Sequence, residues 1–201
     1  MTTKEKILIN ALKLFEKNGI RNTSLTSIAK SVGITKPAIY NHFSSKEELI
    51  KSLYSYCREE SKKNSVKSFD DFLSECEEKT VVELLFEIIK SYQNFYANEI
   101  GNIFWNMITQ EQFFEKDASK IVMEETVLMK STTKLLFSKL MEKGKLIKMD
   151  EKCLNSVSNA FLFIFRGFEL TNIILDKNDM QKFPMEELKQ TIEILVKPYE
   201  R

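Results

Sequence analysis

The stretch TSLTSIAKSVGITKPAIYNHFSSKEEL, residues 23–49, decides the fold of this chain. Gly33 interrupts helix-forming residues, and a glycine can end a helix in the positive-φ conformation that other residues resist. Thr35 can cap the helix that follows, and Pro37 falls in its first turn, where the missing N–H has no intrahelical partner anyway. The stretch therefore predicts two short helices joined by a tight turn, the second helix lying over 36–42.

Close crossing of these two helices requires particular residues at the contact. Ala29, four residues before Gly33, is small enough to allow a close approach. Ile34 and Ile39 then supply the buried apolar contacts that fix the crossing angle. With the first helix over 25–31, this spacing predicts a helix-turn-helix.

Charge separates the N-terminal region from the rest of the chain. Residues 1–46 contain eight Lys or Arg and two Glu, a net charge of +6, although the whole chain carries only +1. The remaining residues therefore carry a net charge of −5. A basic segment joined to a mildly acidic body is the asymmetry expected of a nucleic-acid-binding module attached to a second domain.

Composition favours an all-α protein. The 201 residues include only 5 Gly and 3 Pro, which favours helices with short connections over a sandwich or barrel. No apolar stretch is long enough to cross a membrane, and the N-terminus resembles neither a signal peptide nor a transit peptide. The three cysteines are far apart and show no metal or disulfide spacing. We expect a cytoplasmic protein with idle thiols, no metal, no cofactor and no membrane partner.

Apolar residues recur at helical spacing along the whole chain. Further helices are predicted over 3–18, 46–62, 69–76, 81–96, 103–114, 118–143, 150–175 and from Pro184 to the residue before Pro198. We expect a helix-turn-helix domain at 1–47 and a larger helical domain at 48–201.

A recognisable pattern of residues runs through the N-terminal domain. It consists of Leu14, Phe15, Gly19, Thr23, Ile28, Ala29, Val32, Gly33, Ile34, Tyr40, His42, Phe43, Ser45, Lys46 and Glu47. With this pattern, residues 7–50 resemble the N-terminal domain of TetR-type (TetR/AcrR) transcriptional regulators. Two departures are mild: Asn10 stands where a second alanine is frequent, and Pro37 stands where Gly, Arg or Pro occurs.

The resemblance implies a DNA-binding transcriptional regulator with a helical ligand-binding and dimerisation domain behind the helix-turn-helix. The expected protein is a homodimeric repressor that an apolar or aromatic small molecule releases from a palindromic double-stranded DNA operator. The alternative is a DNA-binding protein of the same fold that has no small ligand and is controlled by a protein partner. An enzyme is not expected, because the single histidine lies in the DNA-reading segment and no catalytic set can be assembled elsewhere.

The helix over 36–42 is then a recognition helix, whose N-terminal end enters the major groove. We expect Lys36 to reach a base edge or a phosphate, and Lys46 to hold a phosphate together with the N-terminus of the fourth helix. Tyr40 and His42 resemble the family's backbone-contacting pair, whereas Phe43 is expected in the core. The predicted DNA contacts are Thr26, Thr35, Lys36, Pro37, Ala38, Tyr40, Asn41, His42 and Lys46.

The helix predicted over 150–175 is apolar around nearly its whole circumference, so one side needs a cover from outside its own bundle. A second copy of the same helix is the simplest cover, and Gly167 would permit its close approach. Arg166 is expected to pair with Glu169 or with an acid across the interface, and the alternative is that it anchors the ligand. The predicted dimer interface comprises Phe161, Phe165, Gly167, Phe168, Leu188, Ile192 and Leu195.

Aromatic residues are dense between 86 and 168, and most belong to the core. The family resemblance implies a cavity in this domain, and an aromatic lining suits an apolar ligand better than a sugar or phosphate. The predicted ligand pocket comprises Phe86, Tyr92, Phe104, Trp105 and Phe161.

Overall fold

The computed structural model describes residues 1–62, 78–95, 99–178 and 180–201, and at 61–62, 91–95 and 176–177 it describes the backbone alone. The helices are α1 (Thr3–Asn18), α2 (Leu25–Val32), α3 (Lys36–Tyr40), α4 (Lys46–Lys62), α5 (Val81–Phe95), α6 (Glu99–Glu111), α7 (Lys116–Glu142), α8 (Glu151–Lys177) and α9 (Met185–Val196), followed by a 3₁₀ turn at Lys197–Tyr199. No strand occurs among the described residues, and the all-α prediction is confirmed. The helix predicted over 69–76 lies outside the described residues.

Two helices near the site differ from their predicted bounds, and the other described helices agree with theirs to within two residues at each end. The third helix ends at Tyr40, with Asn41 as its C-cap, so it is two residues shorter than predicted. The helix predicted over 103–114 begins at Glu99 and ends at Glu111. Its end is fixed by hydrogen bonds, because the amides of Phe114 and Glu115 both donate to the Glu111 carbonyl, at 2.9 and 2.8 Å.

The chain folds into two compact units. The first comprises Met1–Val66 and Gln93–Met123, and the second comprises Lys67–Tyr92 and Glu124–Arg201. The N-terminal helices therefore share a unit with α6.

Helix α1 is the support on which the first unit is built, because α2, α4 and α6 all pack against it. A capping box fixes its start: the Glu5 amide donates to Thr2 Oγ1 at 3.2 Å, and the Thr2 amide donates to Glu5 Oε2 at 2.8 Å. Ile7, Ala11 and Phe15 follow at helical spacing and are buried, as the sequence pattern predicts.

The core of the second unit is made of aliphatic and phenylalanine side chains from its helices. The rings of Phe137 and Phe161 lie 6.1 Å apart between their centroids. The C-terminus is tied to the connection between α7 and α8, because the Ile147 amide donates to the Tyr199 carbonyl at 2.8 Å. Arg166 pairs with Glu169 in the same helix, Nη1 to Oε2 at 2.7 Å, which confirms the predicted partner.

Candidate DNA-binding surface

The turn between α2 and α3 has the geometry that the sequence predicts. Gly33 adopts a left-handed conformation with φ of 77° and ends α2. The Ile34 amide donates to the Ala29 carbonyl at 3.0 Å, which closes the turn. Ala29 and Ile39 are buried, so α2 and α3 are held against each other at the contact that the spacing indicated.

The outer side of α2 and α3 carries most of the predicted DNA contacts. The exposed ones are Thr26, Thr35, Lys36, Pro37, Tyr40 and Asn41, whereas Ala38 and His42 are half-buried. The Thr35 side chain makes no capping hydrogen bond to α3, so its hydroxyl can serve a phosphate. Phe43 is buried, which confirms its assignment to the core.

Lys46 has a different environment from the other predicted contacts. Its Nζ donates to the Ile20 carbonyl at 2.6 Å and lies 5.9 Å from the centroid of the Phe15 ring. The side chain is half-buried and bonded to the turn that follows α1. The structure thus gives Lys46 a role within the protein that the sequence analysis did not foresee. That its ammonium group also reaches a phosphate stays a prediction.

The start of α4 is also occupied by protein groups. The Glu48 amide donates to Ser45 Oγ at 3.1 Å, and the Ser44 amide donates to Glu48 Oε2 at 2.6 Å. Hydrogen bonds from Ser44 hold the pKa of the Glu48 carboxyl below its ordinary value. Glu47 adds a second negative charge in the first turn, so this helix N-terminus is a poor site for a phosphate.

The turn between α1 and α2 is held by a residue that the sequence analysis missed. Glu111, at the end of α6, is buried, and its Oε1 accepts from the Ile20 amide at 2.8 Å. A signal for it does exist in the sequence. Glu111 follows Phe104 and Ile108 at helical spacing, so it continues the apolar face of α6.

The predicted ligand-pocket residues are divided between the two units. Phe104 and Trp105 are buried in the first unit, where the rings of Phe104 and Tyr54 meet edge to face with centroids 5.9 Å apart. Phe86 and Phe161 belong to the core of the second unit. The side chain of Tyr92 lies outside the described residues.

Two buried hydroxyls beside α6 have no hydrogen-bond partner among the described residues: Tyr54 Oη and Thr109 Oγ1. Burial raises the pKa of Tyr54, and the nearby carboxylate of Glu111 raises it further. The phenol therefore stays protonated and can donate a hydrogen bond.

The predicted dimer interface requires a correction. Phe161, Phe165, Leu188 and Ile192 are buried in the core of their own unit, so a second copy cannot reach their side chains. Phe168 and Leu195 are partly buried against the same core, and only Gly167 of the predicted set is exposed.

A different face of α8 is exposed and apolar. Phe163 is 69% exposed, Leu170 43% and Ile174 53%. With Gly167 these residues recur at i, i+4, i+7 and i+11, which is one face of a helix. Because α8 is apolar on nearly all sides, apolar periodicity alone could not reveal which side packs against the core of its own chain.

Other classes of site find no support in the described part of the chain. It contains no group of three or more His, Cys, Asp or Glu placed to hold a metal. Burial raises the pKa of the Cys57 thiol to about 12, and Cys57 and Cys153 are both free. Among the described helices, none has the length and apolar character needed to span a membrane.

Comparison with known proteins identifies the family. Residues 7–53 match the sequence signature described as "Bacterial regulatory proteins, tetR family". The biofilm operon icaADBC HTH-type negative transcriptional regulator IcaR of Staphylococcus aureus (strain Newman) is 30% identical over 137 residues, covering 63% of this chain and 73% of IcaR. The chain belongs to the TetR family. The TetR-family protein is thus a transcriptional regulator and not an enzyme.

Two further relatives support the TetR assignment. The HTH-type transcriptional regulator AcrR of Shigella flexneri is 44% identical over 52 residues, covering 26% of this chain and 24% of AcrR. A TetR transcription regulator from Haloarcula marismortui shares the fold with a TM-score of 0.65 and 15% identity, covering 99% of this chain and 98% of that one. TetR-family regulators bind DNA and typically act as dimers.

Removing the charge of Lys36 should affect DNA binding, whereas removing the charge of Lys46 should affect the stability of the fold. Lys36→Met should weaken DNA binding and leave the free energy of unfolding within about 0.5 kcal/mol of wild type, because an exposed side chain is lost. Lys46→Met should lower the free energy of unfolding by about 1–3 kcal/mol, because the Ile20 carbonyl loses a charged donor. Urea unfolding and fluorescence anisotropy with a DNA duplex measure the two effects. Equal stability of both variants would contradict the structural role of Lys46.

Proposed function

We propose that this TetR-family chain is a homodimeric repressor that binds a palindromic operator and is released by an apolar small-molecule effector. The observation that carries the proposal is the exposed N-terminal half of α3, with Thr35, Lys36 and Pro37 on a short helix held from behind by Ile39. The relative IcaR is a negative transcriptional regulator, which supports repression over activation.

The chemistry of this surface suits the major groove. Lys36 can donate to guanine O6 or N7, and Pro37 and Ala38 offer apolar contacts to a thymine methyl group. Thr26, Thr35 and Tyr40 carry exposed hydroxyls that can donate to phosphate oxygens on either side of the groove. Base contacts from Lys36 thus confer specificity, and the hydroxyls fix the position of α3 on the duplex.

Selection from a random duplex library tests DNA recognition directly. The chain should enrich a palindrome whose half-sites lie about one helical turn, or 34–36 Å, apart. Binding to it should weaken by about 10³-fold between roughly 50 and 200 mM salt if the dimer neutralises about six phosphates. Enrichment of no sequence at all would refute the proposed function, and a non-palindromic sequence would refute its dimeric form.

The dimer is proposed to form through the exposed face of α8, Phe163, Gly167, Leu170 and Ile174, together with Ile194 of α9, which is 74% exposed. A Cβ at Gly167 would meet nothing within 4 Å among the described residues of its own chain. The open space beside Gly167 would let a second α8 approach closely. A two-fold dimer places two copies of α3 on a palindromic site.

Phe163→Glu should convert the dimer into a folded monomer, because an unpaired charge would be buried at the contact between copies. The wild-type protein and the matched control Val127→Glu, a similarly exposed apolar position on α7, should stay dimeric. Sedimentation equilibrium measures mass, and circular dichroism confirms folding. A dimeric Phe163→Glu protein would exclude this face of α8 as the interface.

The effector is proposed to lie against α6 beside Phe104 and Trp105, within the first unit. These aromatic side chains suit an apolar ring, and the unpartnered hydroxyls of Tyr54 and Thr109 offer hydrogen bonds to a polar substituent on it. An aromatic compound that carries a hydrogen-bond acceptor is the ligand class that these groups favour.

Tyr54→Phe should separate effector binding from folding. The variant removes a buried, unpartnered hydroxyl, so its free energy of unfolding should equal or exceed that of wild type. Its affinity for an effector should fall by about 0.5–1.5 kcal/mol, because one hydrogen bond is lost. A panel of small aromatic compounds is titrated while the emission of Trp105, the only tryptophan, and the operator affinity are recorded. Tyr56→Phe serves as the control.

The same titration distinguishes the alternative function. Compounds that change Trp105 emission should also weaken operator binding. If compounds alter the emission and never alter DNA binding, the sensing hypothesis fails, and control by a protein partner takes its place.

A further inference from the structure

The backbone amide and carbonyl of Ile20 are hydrogen-bonded to side chains from two distant parts of the chain. Its amide donates to Glu111 Oε1 at 2.8 Å, and its carbonyl accepts from Lys46 Nζ at 2.6 Å. The same carbonyl accepts from the Thr23 amide at 3.3 Å. The turn between α1 and α2 thus has its polar groups fixed by α4 and by α6.

This turn leads directly into the DNA-binding helices. Thr23 Oγ1 donates to the Gly19 carbonyl at 2.9 Å, and Ser24 then caps α2 by accepting from the Ser27 amide at 3.0 Å. Helix α2 packs on α3. A displacement of Ile20 therefore moves the start of α2 and, with it, the exposed face that carries Thr26 and Lys36.

Glu111 is also the residue that ends α6, because its carbonyl accepts from the amides of Phe114 and Glu115. The guanidinium of Arg21 lies 4.9 Å from the centroid of the Phe114 ring, so the chain just after α6 touches the same turn a second time. A rotation of α6, or uncoiling of its last turn, would carry the Glu111 carboxylate away from Ile20.

We propose that Glu111 is a positioning residue for DNA binding, whose hydrogen bond to the Ile20 amide ties α6 to the turn that orients α2 and α3. The inference rests on the proposed operator binding. One acceptor atom, Glu111 Oε1, then couples α6 to the DNA-binding helices. An uncharged side chain that keeps an oxygen at this position should therefore preserve DNA binding.

The closing experiment compares Glu111→Ala with Glu111→Gln in the full-length chain. The probe is a fluorescein-labelled duplex of the sequence that the wild-type protein selects from a random library. Glu111→Ala should bind it about 5- to 100-fold more weakly, the range expected when a buried amide loses its acceptor. Glu111→Gln should bind within about threefold of wild type, because its amide oxygen can accept from Ile20.

Hydrogen exchange at the Ile20 amide, followed by NMR, reports on the contact itself without DNA. Exchange should be at least about tenfold faster in Glu111→Ala than in wild type, because the turn opens more often, and near the wild-type rate in Glu111→Gln. If Glu111→Ala loses its helical circular dichroism spectrum, Glu111→Met replaces it, since methionine fills the space and offers no oxygen.

Glu99→Ala is the matched control at the other end of α6. Glu99 pairs with Lys13 of α1 at 2.6 Å on the exposed surface, and its loss should change operator affinity by less than about twofold. Wild-type affinity in Glu111→Ala, or a Glu111→Gln protein as weak as Glu111→Ala, would overturn the inference while leaving operator binding intact. A wild-type chain that selects no duplex would instead refute the proposed function, and with it this role of Glu111.

Discussion

The left-handed turn at Gly33 is the constraint on which the DNA-binding surface depends. Helix α2 ends and α3 begins within three residues, so the chain must reverse at a positive φ, here 77°. A Cβ at this position would meet no atom of the described residues within 4 Å, so it is the backbone conformation that favours glycine. A side chain there would cost about 1–2 kcal/mol. Helix α3, with five residues, is far too short to be stable by itself and takes its orientation from this turn and from Ile39.

Local sequence was enough to predict this part of the molecule. Caps, a positive-φ glycine and apolar spacing act over a few residues, so the pattern around Ala29, Gly33 and Ile39 indicates the same geometry wherever it occurs. The contact between Lys46 and the Ile20 carbonyl could not be predicted in this way. A long cationic side chain reaches either solvent or a buried carbonyl, and the choice depends on Ile20, which is distant in sequence.

Helix α8 shows a second limit of sequence-based prediction. The sequence predicts that the helix exists but does not predict which of its sides faces the core. Its helical character followed from periodicity, and its bounds were predicted to within two residues. Phe161 and Phe165 alternate with Phe163 in the sequence, and nothing in their chemistry tells which side faces the core. The answer depends on where Phe137 and Ile192 lie, and both belong to other helices.

The turn between α1 and α2 contains buried backbone groups whose hydrogen-bond partners come from residues distant in sequence. Because α1 ends at Gly19 with a positive φ of 80°, the peptide of Ile20 leaves the helical hydrogen-bond pattern at a buried position. An unpaired buried amide costs about 1–3 kcal/mol, and the Glu111 carboxylate at the end of the otherwise apolar face of α6 supplies the acceptor that avoids this cost. Any apolar side chain could fill that space, but only an acceptor such as Glu111 satisfies the amide. The hydrogen bond from the Ile20 amide to Glu111 thus adds a specific polar link to the apolar packing that joins α6 to α1.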